Sequence, residues 1–273
     1  MKDDVIAVVG ATGKTGSRVL KRLKALGYQT RALSRDSEHP FDWVDRDTWK
    51  PALSGVKQAY VTYYPDLAVP QAQKDIQAFV ALATSLGVEH LVLLSGRGEE
   101  GAQQAEQVLI NSALNWNIVR ASWFMQNFSE SFMLEGLQAG QLVLPEHSAI
   151  EPFIDVDDIA EVAVAALTQD ALRNQLFEVT GPELLSFSEC VSTIAQATQQ
   201  DIQFLTVPIQ AYLEQAQLQG MTKDMAWLIN ELFVNVLDGR NQSTTQTVQN
   251  ILNRPAKPFE SFVSEVKQTG IWS

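Results

Sequence analysis

A glycine-rich turn follows the first apolar segment of the chain. Residues 5–9 are small and apolar, as is typical of a buried parallel strand. Gly10 allows a tight turn, Gly13 lets the backbone approach a phosphate, and Gly16 lets a helix pack closely on the strand. We expect this helix to end near Leu26, and the N–H groups and positive dipole at its start favour a pyrophosphate. The strand, turn and helix together predict a dinucleotide site.

The same turn carries two threonines and a lysine. A phosphate loop of the ATP type needs four residues between its first glycine and Gly-Lys-Ser/Thr, and the spacing here is shorter. A dinucleotide is therefore the better interpretation, with a ligand-free strand–turn–helix as the alternative. The candidate cofactor-binding residues of the turn are Gly10, Thr12, Gly13, Lys14, Thr15 and Gly16.

A serine and an arginine follow the second predicted strand, which spans residues 28–33. An NAD-specific site has a carboxylate at this place for the ribose 2′-hydroxyl. Ser34 and Arg35 instead offer a hydroxyl and a guanidinium, and a guanidinium can hold a 2′-phosphate bidentately. Asp36 comes one position later, and a solvated surface arginine is the alternative. We predict NADP(H) as the cofactor.

Strand and helix patterns alternate through the first half of the chain. This alternation predicts an α/β fold, with helices covering a doubly wound parallel Rossmann sheet that binds ligands at the carboxyl ends of its strands. We expect an NADP-binding domain over residues 1–150, with residues 151–180 returning to the sheet. A smaller, mostly helical lobe that binds the substrate is expected over residues 181–273.

Several local patterns predict individual elements. Residues 41–43 are expected to form a short third strand, and residues 124–136 a helix. Ser186 and Glu189 have the spacing of a capping box, which predicts a helix that ends near Gln199.

Composition excludes several classes of function. The 273 residues carry a formal net charge of −12, and such a negative field repels nucleic acid and anionic membranes. No apolar run approaches the roughly 20 residues of a membrane span, and the N-terminus has no signal-peptide pattern, so we expect a cytoplasmic protein. The one cysteine, Cys190, excludes an intrachain disulfide, and the three scattered histidines predict no metal site.

Several motifs, spread over almost the whole chain, share a pattern with one protein family. They are residues 10–16, 41–43 (Phe-Asp-Trp), 120–127 (Arg-Ala-Ser-Trp-Phe-Met-Gln-Asn), 153–159 (Phe-Ile-Asp-Val-Asp-Asp-Ile), 180–183 (Thr-Gly-Pro-Glu), 253–255 (Asn-Arg-Pro) and 259–262 (Phe-Glu-Ser-Phe). The chain resembles the NmrA-like atypical short-chain dehydrogenase/reductases, and most of all bacterial relatives of the ergot-alkaloid (agroclavine and festuclavine) dehydrogenases. The resemblance implies a Rossmann core, NADP(H) and a small C-terminal substrate lobe. It implies no particular substrate, because the family contains reductases and also nicotinamide redox sensors.

The resemblance adds cofactor candidates at the ends of three further strands. In relatives the end of strand three lies by the adenine, so Asp42 and Trp43 are candidate adenine contacts. A turn carboxylate and a core tryptophan are the alternatives for these two residues. Tyr63 after strand four, and Ser95 with Gly96 at the end of strand five, are further candidate contacts of the cofactor.

The acid that short-chain dehydrogenases normally use is missing. They pair a strand-five serine with a Tyr-x-x-x-Lys helix, in which the lysine lowers the pKa of the tyrosine. Ser95 stands in the expected place, but none of the five tyrosines has a lysine four residues later. With Glu106 as the alignment point, the tyrosine and lysine positions fall at about Gly98 and Ala102.

Hydride transfer does not itself require that acid. It is chemistry of the cofactor, which the protein orients and shields from water. An iminium or quinone-like acceptor is already electrophilic and needs little or no enzyme acid. The candidate catalytic residues are Ser95, Tyr64 and Trp123, the two aromatics as walls that seat the ring and the acceptor, with a core role as their alternative.

Two functions fit these residues. The first is an NADPH-dependent oxidoreductase that passes hydride to a small conjugated, imine-type or quinone-type acceptor. The second is a non-catalytic NADP(H) sensor that regulates a protein partner. A nucleotide-sugar epimerase is disfavoured by the missing tyrosine and lysine, and a homodimer is compatible with either function.

Overall fold

The computed structural model describes residues 4–273, which form two compact units. Unit 1 comprises the described residues up to Gly96 together with Glu100–Ala121 and Val156–Glu178. Unit 2 comprises Arg97–Glu99, Ser122–Asp155 and Val179–Ser273. Residues 122–150 thus group with the C-terminal part of the chain, whereas the sequence analysis placed them in the cofactor domain.

The strands are β1 (Val5–Val9), β2 (Thr30–Ser34), β3 (His39–Pro40), β4 (Val56–Val61), β5 (His90–Gly96), β6 (Asn115–Ala121), β7 (Gln141–Pro145), β8 (Gln175–Val179) and β9 (Gln203–Val207). The α-helices are α1 (Lys14–Ala25), α2 (Trp49–Leu53), α3 (Ala72–Ser85), α4 (Glu100–Ile110), α5 (Met133–Gln138), α6 (Val156–Thr168), α7 (Phe187–Thr198), α8 (Ile209–Leu218), α9 (Lys223–Asn230), α10 (Thr247–Leu252) and α11 (Phe259–Lys267). Short 3₁₀ segments occur at Arg46–Thr48, Met125–Phe128 and Asp170–Leu172, and a π-helical segment occurs at Glu231–Val236.

Seven strands form one sheet in the order β3-β2-β1-β4-β5-β6-β8. Each neighbouring pair from β3 to β6 is parallel. Residues 6–9 of β1 are almost fully buried, which explains their unbroken apolar run. The strand order reverses between β1 and β4, and open α/β sheets bind ligands at such a reversal. The predicted doubly wound α/β sheet is confirmed.

The helix that follows the glycine turn is firmly held in unit 1. Val19 and Leu23 of α1 are buried, and α1 packs against α6. Arg22 donates to the carboxylate of Asp157, in the first turn of α6, at 2.7 Å. The start of α1 therefore has a fixed position at the carboxyl end of β1.

Unit 2 has a small parallel sheet, β7 with β9, and an apolar core of its own. Helix α7 packs against β9 and α11. The predicted capping box of α7 is confirmed, because the Ser186 hydroxyl accepts from the Glu189 N–H at 3.2 Å and the Glu189 carboxylate accepts from the Ser186 N–H at 2.7 Å.

The prediction of a third strand over residues 41–43 is wrong. The strand is limited to β3, two residues earlier in the chain. The carboxylate of Asp42 accepts from the N–H of Val44 at 3.0 Å, which turns the backbone at the predicted strand.

The prediction of one helix over residues 124–136 is also wrong. The chain forms a 3₁₀ turn and then the short helix α5. The Trp123 carbonyl accepts from Ile154 N–H, and Met125 N–H donates to the Ile154 carbonyl, both at 2.9 Å. This strand-like pairing occupies the backbone groups with which a helix would begin, and it joins residues 123–125 to the segment around Ile154 in unit 2.

Candidate functional site

The glycine turn lies at the carboxyl end of β1 and leads directly into α1. Gly10 has a φ of +74°, and a Cβ there would lie 2.1 Å from the Thr62 hydroxyl oxygen. A Cβ on Gly16 would lie 2.2 Å from the Gly10 carbonyl oxygen, so the close packing of α1 requires glycine. Gly13 caps α1 without any side-chain hydrogen bond. The first N–H groups of α1 therefore have no side-chain cap, as a phosphate site requires.

The polar side chains of this turn differ in accessibility. Thr12 is exposed and Lys14 is half-buried, whereas Thr15 is 4% exposed. The first turn of α1 contains no acidic residue that would repel a phosphate. Among these three predicted contacts, Thr12 and Lys14 present side chains at the surface, and Thr15 is suited to contribute only its backbone N–H.

A tight turn after β2 positions Ser34 and Arg35. The Ser34 N–H donates to the Ser37 hydroxyl at 3.0 Å, and the Ser34 carbonyl accepts from the Ser37 hydroxyl at 3.0 Å. The exposed Arg35 guanidinium lies 6.0 Å from the centroid of the Tyr64 ring, within cation–π distance. Tyr64 is 70% exposed. Tyr64, which we expected at the acceptor, thus lies beside the predicted 2′-phosphate ligand.

Trp43 lies in the core of unit 1. It is 8% exposed, and its indole N–H donates to the Thr62 carbonyl at 3.0 Å. The ring of Tyr63 packs against it, with centroids 4.8 Å apart. The structure therefore places Trp43 in the core position given above as the alternative, and Asp42 in the turn-closing role given as its own alternative.

The Tyr63 hydroxyl belongs to a hydrogen-bond network around Asp75, a 5% exposed residue of α3. Asp75 accepts from Tyr63 at 2.7 Å, from Arg46 at 2.7 Å and from Gln71 at 3.1 Å. Burial acts to raise the pKa of Asp75, but these hydrogen bonds outweigh it, so the pKa lies below its ordinary value. The phenol of Tyr63 therefore has a structural partner within unit 1.

Ser95 is anchored to a buried ion pair. It lies on β5 directly opposite Arg120 on β6, and its hydroxyl donates to Glu106 at 2.6 Å. Arg120 donates to both carboxylate oxygens of Glu106 and, at 3.0 Å, to Glu178. Ser95 is 4% exposed and Glu106 is fully buried. The pairing holds Glu106 in its ionised form, and Glu106 raises the pKa of Arg120.

This arrangement limits what Ser95 can do chemically. The hydrogen of its hydroxyl is donated to a carboxylate that has no proton to pass on. Ser95 can accept a hydrogen bond from a ligand, but it is not an acid. The sequence analysis used Glu106 only for alignment and missed its link to Arg120, although a glutamate beside Ala102, Ala105 and Leu109 on the buried face of α4 was a signal for a buried ion pair.

Tight packing occupies the place of the missing tyrosine and lysine. Gly98 has a φ of +81°, and a Cβ there would lie 2.5 Å from the side-chain amide of Asn241. Ala102, at the lysine position, is fully buried in α4. A tyrosine at position 98 would be strained, and a lysine at position 102 would bury an ammonium group.

Trp123 belongs to an aromatic cluster of unit 2. Its ring meets Phe187 at 5.2 Å and Phe233 at 5.6 Å, both edge to face. His147 packs on Phe187 at 4.8 Å, and burial lowers the pKa of this imidazole, which is therefore neutral at pH 7. Trp123 is half-buried, so one part of its ring is packed and another part remains accessible.

Two further findings concern residues 4–273 as a whole. In this range no three His, Cys, Asp or Glu side chains are grouped so that they could hold a metal ion. The helices in the same range are all too short or too polar to cross a bilayer.

Comparison with known protein families gives a match over residues 10–170, from the glycine turn to the end of α6, to the model described as NAD(P)H-binding. This stretch is more than half of the chain. The chain belongs to this NAD(P)H-binding family. The matched residues include the uncapped start of α1, the turn with Arg35, and the Ser95, Glu106 and Arg120 network.

Curated relatives of the family align with almost the whole chain. The uncharacterized oxidoreductase YesF of Bacillus subtilis is 29% identical, over 97% of this chain and 96% of its own length. The NAD(P)H azoreductase of Xenophilus azovorans is 27% identical, over 94% and 96%. The agroclavine dehydrogenase of Claviceps fusiformis is 28% identical, over 98% of both chains.

Solved structures show the same fold at low sequence identity. A nucleoside-diphosphate-sugar epimerase from Staphylococcus aureus has a TM-score of 0.81 at 14% identity, over 96% of this chain and 99% of the other. The triphenylmethane reductase of Citrobacter sp., complexed with NADP(H), has a TM-score of 0.80 at 17% identity, with the same coverage.

These comparisons confirm four of the predictions. The resemblance to the NmrA-like proteins, the Rossmann-like α/β fold, the NAD(P)H cofactor and the assignment as an NADP-dependent oxidoreductase are confirmed. The individual cofactor contacts, the catalytic residues and the acceptor remain predictions.

Proposed function

We propose that this protein is an NADPH-dependent reductase of small acceptors that are electrophilic before they bind: imine-type, quinone-type or other conjugated molecules. The observation that carries the proposal is the state of Ser95. Its hydroxyl hydrogen is donated to Glu106, and the positions of the usual tyrosine and lysine are occupied by Gly98 and the buried Ala102.

The residues of unit 1 fit an NADP(H) cofactor. The uncapped start of α1, with Gly13 and the N–H groups that follow it, would hold the pyrophosphate. Arg35 and Ser34 would hold the 2′-phosphate, with the exposed ring of Tyr64 beside the adenosine. When bound, NADPH supplies a hydride to the acceptor.

Unit 2 is the proposed acceptor-binding unit. Trp123 is half-buried and is held at a fixed angle by Phe187 and Phe233, which makes it a rigid apolar wall for a flat molecule. A rigid wall orients an acceptor at little entropic cost. Ser95, in this proposal, has a positioning role that keeps the end of β5 in place.

The named activities of the relatives support this acceptor class. The azoreductase, the agroclavine dehydrogenase and the triphenylmethane reductase are all named after nitrogen-containing conjugated molecules. A polarised C=N, N=N or quinone group accepts hydride more readily than a simple ketone does.

The test is NADPH oxidation by the native protein, followed by absorbance with a panel that contains an imine, a quinone, an azo dye and a simple ketone. We expect turnover of at least one of the first three and none of the ketone. Efficient ketone reduction would contradict the proposal. Tight NADPH binding without turnover of any acceptor would favour the sensor, and pull-down or sizing experiments with NADPH and NADP⁺ would then test for a protein partner or a homodimer.

A further inference from the structure

Unit 2 contains a buried carboxyl group that the mechanism above does not use. Glu151 is 0% exposed, and among the described residues neither of its side-chain oxygens has a hydrogen-bond partner. Its backbone is firmly held, because Glu151 and Leu185 exchange two hydrogen bonds, of 2.8 and 3.0 Å. Leaving such a group unpaired costs folding free energy, so an unsatisfied buried carboxyl needs an explanation.

The surroundings of Glu151 connect it to residues already implicated in the site. The extended segment that carries it continues to Ile154, whose backbone exchanges hydrogen bonds with Trp123 and Met125. Arg97 acts electrostatically on Glu151, and in the chain Arg97 comes directly after the Ser95–Gly96 end of β5. Open α/β sheets bind their ligands at this end of the strands.

The charges near Glu151 have opposite effects on its proton. Burial raises the pKa of Glu151 to about 7; Arg97 acts to lower it and Asp238 acts to raise it. Arg97 donates to the carbonyls of Asn241 and Ser243 at 2.9 and 2.7 Å rather than to Glu151. Asp238 is paired with Arg240 at 2.7 Å. Glu151 is thus protonated in a large fraction of molecules at neutral pH.

We propose that Glu151 is the proton donor for neutral acceptors, a catalytic residue that replaces the missing tyrosine. This inference rests on the proposed function and deepens it. It predicts that the enzyme reduces two kinds of acceptor by routes that differ in one proton.

The two routes balance as follows. A neutral quinone takes a hydride from NADPH and a proton from the Glu151 O–H group; the O–H bond breaks, a hydroquinone and NADP⁺ form, and the carboxylate regains a proton from water. A cationic acceptor, such as a triarylmethyl cation or an iminium, becomes neutral on taking the hydride alone. Glu151 is needed only in the first route.

The experiment compares these two acceptors with the native protein and with Glu151→Gln, using 1,4-naphthoquinone and a triarylmethyl dye cation. Because a positioned acid typically contributes about 10²–10⁴-fold, we expect Glu151→Gln to lower kcat on the quinone by about 100-fold or more. On the dye cation we expect a change of less than about threefold. Native kcat on the quinone should also fall above about pH 7, and this fall should be absent on the dye.

Glu146→Gln is the matched control, because Glu146 is an exposed glutamate of the same unit. It should leave both reactions unchanged. Infrared difference spectra of the native protein, recorded between pH 5 and 9, should show a carboxyl C=O band that titrates near neutrality and is absent from Glu151→Gln.

The outcomes separate the two proposals. If the native protein reduces neither acceptor, the proposed function fails, and the role of Glu151 fails with it. If the native protein reduces the quinone and Glu151→Gln does so equally well, only the role of Glu151 is overturned. An equal loss on both acceptors, in a variant with the native melting temperature, would also overturn it.

Discussion

The hydroxyl of Ser95 donates to the carboxylate of Glu106 at 2.6 Å, inside unit 1. The same carboxylate is held by Arg120, the residue opposite Ser95 on the neighbouring strand. The serine that other short-chain dehydrogenases use beside a tyrosine is therefore part of an ion-pair network here.

Ser95→Ala should lower kcat by no more than about 10-fold, because removal of a positioned acid would cost about 10²–10⁴-fold. The measurement is steady-state kinetics on one acceptor, with folding checked by circular dichroism. Glu106 would keep its two bonds from Arg120 in this variant. A loss of several thousand-fold would show that an acid relay does pass through Ser95.

Trp123→Ala should cost more than Ser95→Ala in kcat/KM for the acceptor. The indole is half-buried and packs edge to face on two phenylalanines, so its loss removes an orienting wall. Binding of NADPH should change little, and titration of the variant with NADPH is the control. Equal effects of the two substitutions on the acceptor would contradict this role of Trp123.

Arg35→Ala should narrow the preference for NADPH over NADH. Loss of a charge-assisted contact costs about 1.5–3 kcal/mol, or roughly 10- to 150-fold in the NADPH dissociation constant, while NADH should be little affected. Isothermal titration with both nucleotides provides the comparison, and Lys50→Ala, at another exposed cation of unit 1, is the control. Equal affinities of the native protein for the two nucleotides would disprove the assignment.

Tyr64→Ala should raise the KM for NADPH and leave kcat nearly unchanged. This expectation follows from the structure, which places Tyr64 beside Arg35. Steady-state kinetics with NADPH varied at saturating acceptor separates the two parameters. A fall in kcat with an unchanged KM would restore Tyr64 to the acceptor side.

Glu151→Gln should stabilise the protein above pH 7. The pKa of Glu151 is about 7 in the folded state and 4.5 ordinarily, so the folded state binds the proton more tightly and stability falls as pH rises from 4.5 to 7. The penalty above pH 7 is about 3 kcal/mol, and the amide avoids it. Urea unfolding at pH 5 and pH 8 should show a gain that grows with pH. A gain independent of pH would show that Glu151 does not titrate as described.

The strength of the local signals explains what sequence reasoning predicted correctly. The apolar run of β1 followed by three spaced glycines, and the capping box at Ser186, depend on contacts within a few residues. The same holds for Ser34 and Arg35, which follow β2 directly. Such features can be predicted because backbone geometry and sequence spacing determine them.

The errors and omissions have a different origin. Residues 123–125 pair with the backbone around Ile154, about 30 positions later in the chain, so no local periodicity reveals that the helix is interrupted there. Tyr64 was assigned by its order in the chain, but its place beside Arg35 depends on the order of the strands in the sheet.

The sequence by itself determined the class of fold, the glycine turn, the cofactor class and the absence of a tyrosine–lysine acid. Only the tertiary structure decided what the remaining polar groups do. Glu106, Arg120 and Ser95 come from one helix and two strands, and their pairing exists only because the parallel register aligns β5 with β6. Glu151 is an ordinary glutamate in the sequence, and burial without a hydrogen-bond partner is what sets its pKa apart. Burial and long-range pairing are properties of the packed chain, and they decide the charge state of each group.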